Sequence, residues 1–189
     1  VVVCTPKIIS VGPKTVSNRR QTSSKNVKDF IKALTGETII SVSRRAKMLI
    51  FDFAGPYSML VHLKMTGQFI YEDKALRKKS DGKYRILNKI TAPFVQFPTK
   101  HTHVIFTFTD GSILYFSDVR KFGYLKVVRD DEIDQVKELN EFGPEPLSKE
   151  FTFADFSSKA KLRKAVSVKQ FIMDAKVVTG IGNIYSDEI

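Results

Sequence analysis

The chain has no tryptophan, one cysteine and three histidines in 189 residues. A single Cys4 excludes an intrachain disulfide and any zinc site built from paired cysteines within these residues. No apolar run approaches the roughly 20 residues that a helix needs to cross a bilayer. The opening VVVCTPKIIS carries an apolar patch but neither a basic leading segment nor a small-residue cleavage site, so it does not read as a signal peptide. The one Gly-x-Gly pattern, Gly180 and Gly182, has no strand before it, which argues against a dinucleotide fold. No internal repeat occurs. A reducing cytoplasm is the expected setting, nucleoid-associated if the source is bacterial, with no membrane span.

Acidic residues are also scarce, 20 against 31 Lys and Arg, for a net charge of +11 and a pI near 9.7. Such an excess is costly in self-repulsion and points to a polyanionic partner, with nucleic acid first and an anionic membrane second. Hydrophobic content of 42% is enough for a core, and fifteen Phe without Trp make that core phenylalanine-rich.

A strand is expected in KIISV, then a polar loop through Ser23. A helix capped by Ser24 is expected over 25–35, where Val27, Phe30, Ile31 and Leu34 fall at helical spacing and Gly36 ends it. The period then changes to two. TIISVS, KMLIFDF, SMLVHLKM and GQFIYE read as antiparallel strands, with AGPY (54–57) as a hairpin turn; Asp110-Gly111 joins a second hairpin. Residues 72–100 carry eight Lys/Arg against three acids and read as a mobile basic insertion. Asp130, Asp131 and Glu132 suit the first turn of a helix carrying Ile133, Val136 and Leu139. EFGPEPLS breaks that helix, and 152–189 is helical again, with a basic stretch at 157–176. The predicted class is α+β: an antiparallel β-sandwich over 1–128, a helix and linker over 129–150, and the start of a helical domain over 151–189.

Candidate functional residues stand in short motifs, each with a plain structural alternative. In SRRAKML, a strand beginning near Arg45 would place Lys47 on one face with Leu49, Phe51 and Phe53, partly desolvated and suited to proton transfer, or else as a snorkelling strand-end lysine. VHLKMTG puts His62 and Lys64 on one strand face and leaves Met65 at the tip, as a core plug or an exposed wedge. KHTHV sets His101 and His103 on one face; without a third ligand, a phosphate contact beside Lys100 is more plausible than a metal. DVRKFG projects Arg120, Lys121 and Phe122 from a turn that would ordinarily hold small polar residues. GIGNIY opens a helix at Asn183, whose free N–H groups could meet a phosphate.

In this order, RRAK, HLKMTG, KHTHV, DVRKFG, GPEPL and GIGNIYSDE closely resemble the motif series of the formamidopyrimidine-DNA glycosylase family, whose sister branch is the endonuclease-VIII type. The resemblance runs from about Ile39 to the last residue, broken by the 72–100 insertion. It implies a β-sandwich and a helix–two-turn–helix domain gripping damaged duplex DNA, a monomer, and removal of oxidised purines followed by β,δ-elimination. By match to the family, Met65, Arg120 and Phe122 form the wedge that replaces a flipped nucleotide, a triplet that favours the purine-lesion branch. Lys47 matches the lysine assigned to proton transfer during elimination. His101 and Lys164 match phosphate-contacting positions, His62 is expected to support the same backbone, and Asn183 matches an asparagine on the flanking phosphates.

Departures carry expectations of their own. The family's nucleophile is an N-terminal proline amine followed by glutamate, whereas this chain starts at Val1 and its Pro144-Glu145 is internal. The chain therefore reads as a fragment, inactive by itself, with a zinc finger and its one structural Zn2+ expected in a missing C-terminal part and no cofactor within the 189 residues. Gln170 stands where many relatives have proline and is expected to be tolerated. Two alternatives remain: a non-catalytic damaged-DNA-binding homologue and a β-rich RNA-binding module.

Overall fold

The computed structural model describes residues 3–8, 27–74, 97–163 and 165–189. The chain divides into two compact units, residues 1–44 with 48–133 and residues 45–47 with 134–189. Part of the expected leading strand and its loop (9–26), Ser24, most of the basic insertion (75–96) and Lys164 lie outside the described residues.

Among the described residues, the first unit contains eight strands: β1 (Val3–Ile8), β2 (Glu37–Arg45), β3 (Met48–Phe53), β4 (Tyr57–His62), β5 (Gly67–Glu72), β6 (Thr102–Phe108), β7 (Ile113–Asp118) and β8 (Tyr124–Arg129). Their order is β5-β7-β6-β1-β2-β3-β4-β8. The β1/β2, β1/β6, β6/β7, β5/β7, β3/β4 and β4/β8 ladders are all antiparallel. The ribbon folds over on itself, because Phe51 of β3 meets Phe69 of β5 edge-on at 5.5 Å although four strands separate them in the order. The main buried cluster has Phe51, Phe53, Met59, Val61, Leu125 and Val127 from one half facing Val104, Phe106 and Phe116 from the other, and a smaller one gathers Phe97, Ile105, Ile113 and Tyr115. Helix α1 (Val27–Leu34) covers it: Phe30 and Leu34 are fully buried, and the Phe30 ring lies 6.5 Å from that of Phe106. Gly36 follows at φ +84, where glycine ends a helix without steric cost.

Strand topology decides which loops become neighbours. Antiparallel pairing of β4 with β8 sets His62 opposite Tyr124, and pairing of β5 with β7 sets Gly67 opposite Asp118. The β4–β5 loop (63–66) and the β7–β8 loop (119–123) therefore cross the same gap side by side, 55 residues apart in sequence.

The acidic run Asp130–Glu132, near the end of the first unit, forms the start of a 3-10 turn, Asp130–Gln135, and not the expected continuous helix. Val136 is extended (φ −70, ψ 107) and separates that turn from α2 (Lys137–Asn140). Helices α3 (Phe153–Leu162), α4 (Val168–Met173) and α5 (Asn183–Glu188) follow. Thr152 caps α3 through the Asp155 N–H. At α4, the Ser167 hydroxyl accepts from the Gln170 N–H while the Gln170 side chain accepts from the Ser167 N–H. Gln170 thus completes a capping box that a proline, lacking the N–H, could not make. Phe171, Ile172, Val177 and Val178 form the second unit's core, with Phe151, Phe156, Ala160 and Ile181 packed on it.

Candidate nucleic-acid interface

The two crossing loops carry the wedge candidates outward. Met65 is 71% exposed, Phe122 is 54% exposed, and Arg120 is exposed between them in sequence space. The Arg120 Nη1 donates to the Met65 sulfur at 3.3 Å, so two of the three side chains touch. An exposed methionine of this size is neither buried in the core nor plugging it. A thioether and a cationic fork thus stand together, with a flat ring exposed two positions further along the Arg120 loop and fully buried Phe116 beneath the end of that loop.

Both loops are closed by a glycine. Gly67 N–H donates to the Leu63 carbonyl at 2.9 Å, and a Cβ on Gly67 would fall 2.3 Å from that oxygen. Gly123 N–H donates to Asp118 Oδ2 at 2.7 Å, and a Cβ there would meet Asp118, the His62 carbonyl and the Phe116 ring at 3.1 Å. Asp118 is a residue that motif reading missed, although an aspartate opening a turn is a recognised signal for side-chain-to-backbone bonding. It is 1% exposed. Burial by itself would raise its carboxyl, but hydrogen bonds from Thr66 and from the Gly123, Arg120 and Lys121 main chain outweigh that and hold it below the usual carboxylate value.

His62 ends β4, half-buried, and its Nδ1 accepts the Lys64 N–H at 3.0 Å, which puts the proton of the neutral ring on Nε2. Lys64 has φ +54 and does not continue the strand; its ammonium lies 5.9 Å from the centre of the Tyr124 ring. The expectation that His101 and His103 share a strand face is corrected. β6 starts at Thr102, leaving half-buried His101 in the preceding turn, and the β6/β7 register shifts between Thr102 and Val104. His103 is fully buried and its Nε2 lies 2.8 Å from the Asp118 carbonyl, a structural role. His101 accepts the Asp118 N–H through its carbonyl at 2.9 Å.

The placement of Lys47 is also corrected. β2 ends at Arg45 and β3 starts at Met48, so Lys47 lies in the intervening turn and is exposed, not on an apolar strand face. Ala46, at φ +56, makes that turn, and its N–H donates to Glu145 Oε1 at 2.7 Å. Arg45 pairs with the same carboxylate at 3.3 Å and donates to the Gly143 carbonyl at 2.8 Å. Residues 45–47 are thereby fastened to the GPEP segment. The Lys47 ammonium sits where a Cβ on Gly182 would be 2.4 Å away, immediately before Asn183, the exposed first residue of α5. Lys47 and Asn183, 136 positions apart, are brought together. The roles of Gly182 and Glu145 were missed, since neither residue type signals that it clears or clamps a distant lysine.

Among the described residues, no group of three or more His, Cys, Asp and Glu side chains could hold a metal ion. The zinc implied by the family resemblance finds no donor set there, and no step below depends on it. Among the same residues, no helix is long and apolar enough to cross a membrane.

Residues 7–125 match the family model of the formamidopyrimidine-DNA glycosylase N-terminal domain, and residues 142–189 that of the formamidopyrimidine-DNA glycosylase H2TH domain. The chain belongs to the formamidopyrimidine-DNA glycosylase family. The enzymes of that name from Ligilactobacillus salivarius (strain UCC118) and Listeria innocua serovar 6a are 38% and 37% identical to it over 161 residues, 85% of this chain and 51% of each relative. The chain thus spans about half the length of the curated relatives it matches. It is also similar to Lactococcus lactis Fpg solved with FAPY-dG-containing DNA, at TM-score 0.71 and 28% identity over 97% of this chain and 58% of that one. A complex of the same Fpg with abasic-site DNA gives the same TM-score and covers 97% and 56%.

Proposed function

We propose that this chain is the damage-recognising part of a base-excision-repair DNA glycosylase that removes oxidised purines, formamidopyrimidine and 8-oxoguanine among them, from duplex DNA. In this reading Met65 fills the space left by the flipped nucleotide, Arg120 hydrogen-bonds the widowed base and Phe122 props the neighbouring pair. Unstacking a base costs a few kcal/mol. A polarizable side chain, a charged donor and an aromatic face offset that cost by replacing stacking and pairing. The observation that carries the reading is the joint exposure of these three side chains on adjoining loops, with Arg120 on the Met65 sulfur.

Phosphate contacts are assigned to His62, His101, Lys164, Asn183 and the Lys47 ammonium. Lys47 is also assigned proton transfer during β,δ-elimination. The proline followed by glutamate here, Pro144, has its nitrogen in a peptide bond and supplies no free amine for a Schiff base. The partner is damaged double-stranded DNA, bound by a monomer in the cytoplasm or on the nucleoid, and the net charge of +11 suits it.

Arg120→Ala tests the reading. Binding to a lesion-bearing duplex relative to an undamaged one should fall by about tenfold or more, the scale of losing one charged hydrogen bond. General affinity should stay nearly intact and decline steeply with salt, because phosphate contacts supply it. An unchanged preference would remove the wedge assignment. Borohydride trapping of the whole protein on a lesion-bearing duplex separates a lyase, which yields a covalent adduct, from a protein that only binds damage.

Gly182→Ala probes Lys47 without touching it. Gly182 has φ −122, which any residue adopts, so the fold should be retained. The added methyl displaces the ammonium. Affinity should fall to a similar degree for all duplexes, with the slope of log K against log salt reduced by about 1. An unaltered slope would show that the ammonium does not contact phosphate.

A further inference from the structure

Asp118 uses all of its polar atoms to join three segments. Its N–H donates to the His101 carbonyl at 2.9 Å and its carbonyl lies 2.8 Å from His103 Nε2. Its carboxylate accepts the Arg120 N–H at 3.1 Å and the Gly123 N–H at 2.7 Å, spanning the start and end of the loop that bears Arg120 and Phe122. A further partner comes from the other loop: the Thr66 hydroxyl donates to Asp118 Oδ1. Thr66 Oγ1 also accepts the Arg120 N–H at 3.1 Å. That amide is shared between the two side chains, and the residue next to Met65 is bonded directly to the main chain of Arg120.

We propose that the Thr66 hydroxyl and the Asp118 carboxylate form a latch that couples the Met65 loop to the Arg120–Phe122 loop, so that the three side chains enter a duplex as one body. This rests on the wedge reading given above and makes Thr66 and Asp118 positioning residues. Two separate loops would each lose conformational freedom on insertion, whereas latched loops are ordered before DNA arrives. The latch also transmits displacement. A push on Met65 reaches the Arg120 main chain through one hydroxyl, and the far side is anchored because Asp118 is buried and tied to β6 through His103.

A double-mutant cycle on the full chain tests the coupling. The readout is the ratio of Kd for an undamaged duplex to Kd for one carrying a tetrahydrofuran abasic analogue, with thermal melting followed in parallel. Thr66→Val keeps the branched shape and removes the donor; Thr66→Ser restores the hydroxyl. We expect Thr66→Val to lower the ratio and Thr66→Ser to recover it. Met65→Ala should cost at least about threefold less in the Thr66→Val background than alone, the non-additivity typical of groups in one network. If the two losses simply multiply, the latch is overturned while the wedge stands, whatever happens to melting. If Met65→Ala alone leaves the ratio unchanged, the wedge reading fails and the latch with it.

Discussion

Replacing Lys47 with alanine should reduce strand cleavage at a preformed abasic site by about 100-fold or more, the usual contribution of a positioned acid–base group. The measurement is single-turnover cleavage by the whole protein. The side chain extends from a two-residue turn whose main chain is clamped by Glu145, with Gly182 leaving room for the ammonium beside Asn183. The main chain that carries the lysine is fixed in this way, so the side chain starts from a defined position. Lys47→Arg separates two roles: guanidinium keeps the positive charge for a phosphate but does not release its proton. Arginine should therefore preserve affinity for abasic-site DNA while cleavage stays low. Full cleavage by the arginine variant would leave Lys47 with a binding role only, and full cleavage by the alanine variant would remove it from the chemistry.

Truncating Phe116 should destabilise the first unit by about 3–5 kcal/mol, the range for emptying a buried aromatic site. The ring is fully buried, lies 5.5 Å from that of Phe69, and presents its tip 3.1 Å from where a Gly123 Cβ would be. Core and recognition loop are in direct contact at this point. Phe116→Ala should accordingly lower the denaturant midpoint and also reduce lesion preference under conditions where the protein is still folded. Phe116→Leu, which refills much of the volume, should show a smaller loss on both measures. A stability change under about 1 kcal/mol, ordinary for a surface position, would contradict the core assignment. Lost stability with lesion preference unchanged would show that the loop does not depend on the ring beneath it.

Much of this arrangement was legible from residue order. β5 has the limits read from GQFIYE, Asp110-Gly111 turns the hairpin it was expected to turn, and Phe30 and Leu34 bury the helix face that their spacing marked. Local propensities suffice there, since period and turn chemistry act within a few residues. Met65, Arg120 and Phe122 stood out because large or charged side chains are unusual at strand ends. Lys47 and His101 were read into strands by extending a periodic pattern past its end. A positive φ at Ala46 and a late start of β6 stopped it.

Composition and periodicity by themselves determined a basic, phenylalanine-rich β unit followed by helical segments, because hydrophobic period and backbone preference are properties of adjacent residues. Only the tertiary structure decided that position 65 meets position 120, that a buried aspartate ties their loops, and that a glycine at 182 makes room for a lysine at 47. Those relations depend on strand register and on distances between segments far apart in the chain, and no local pattern encodes either.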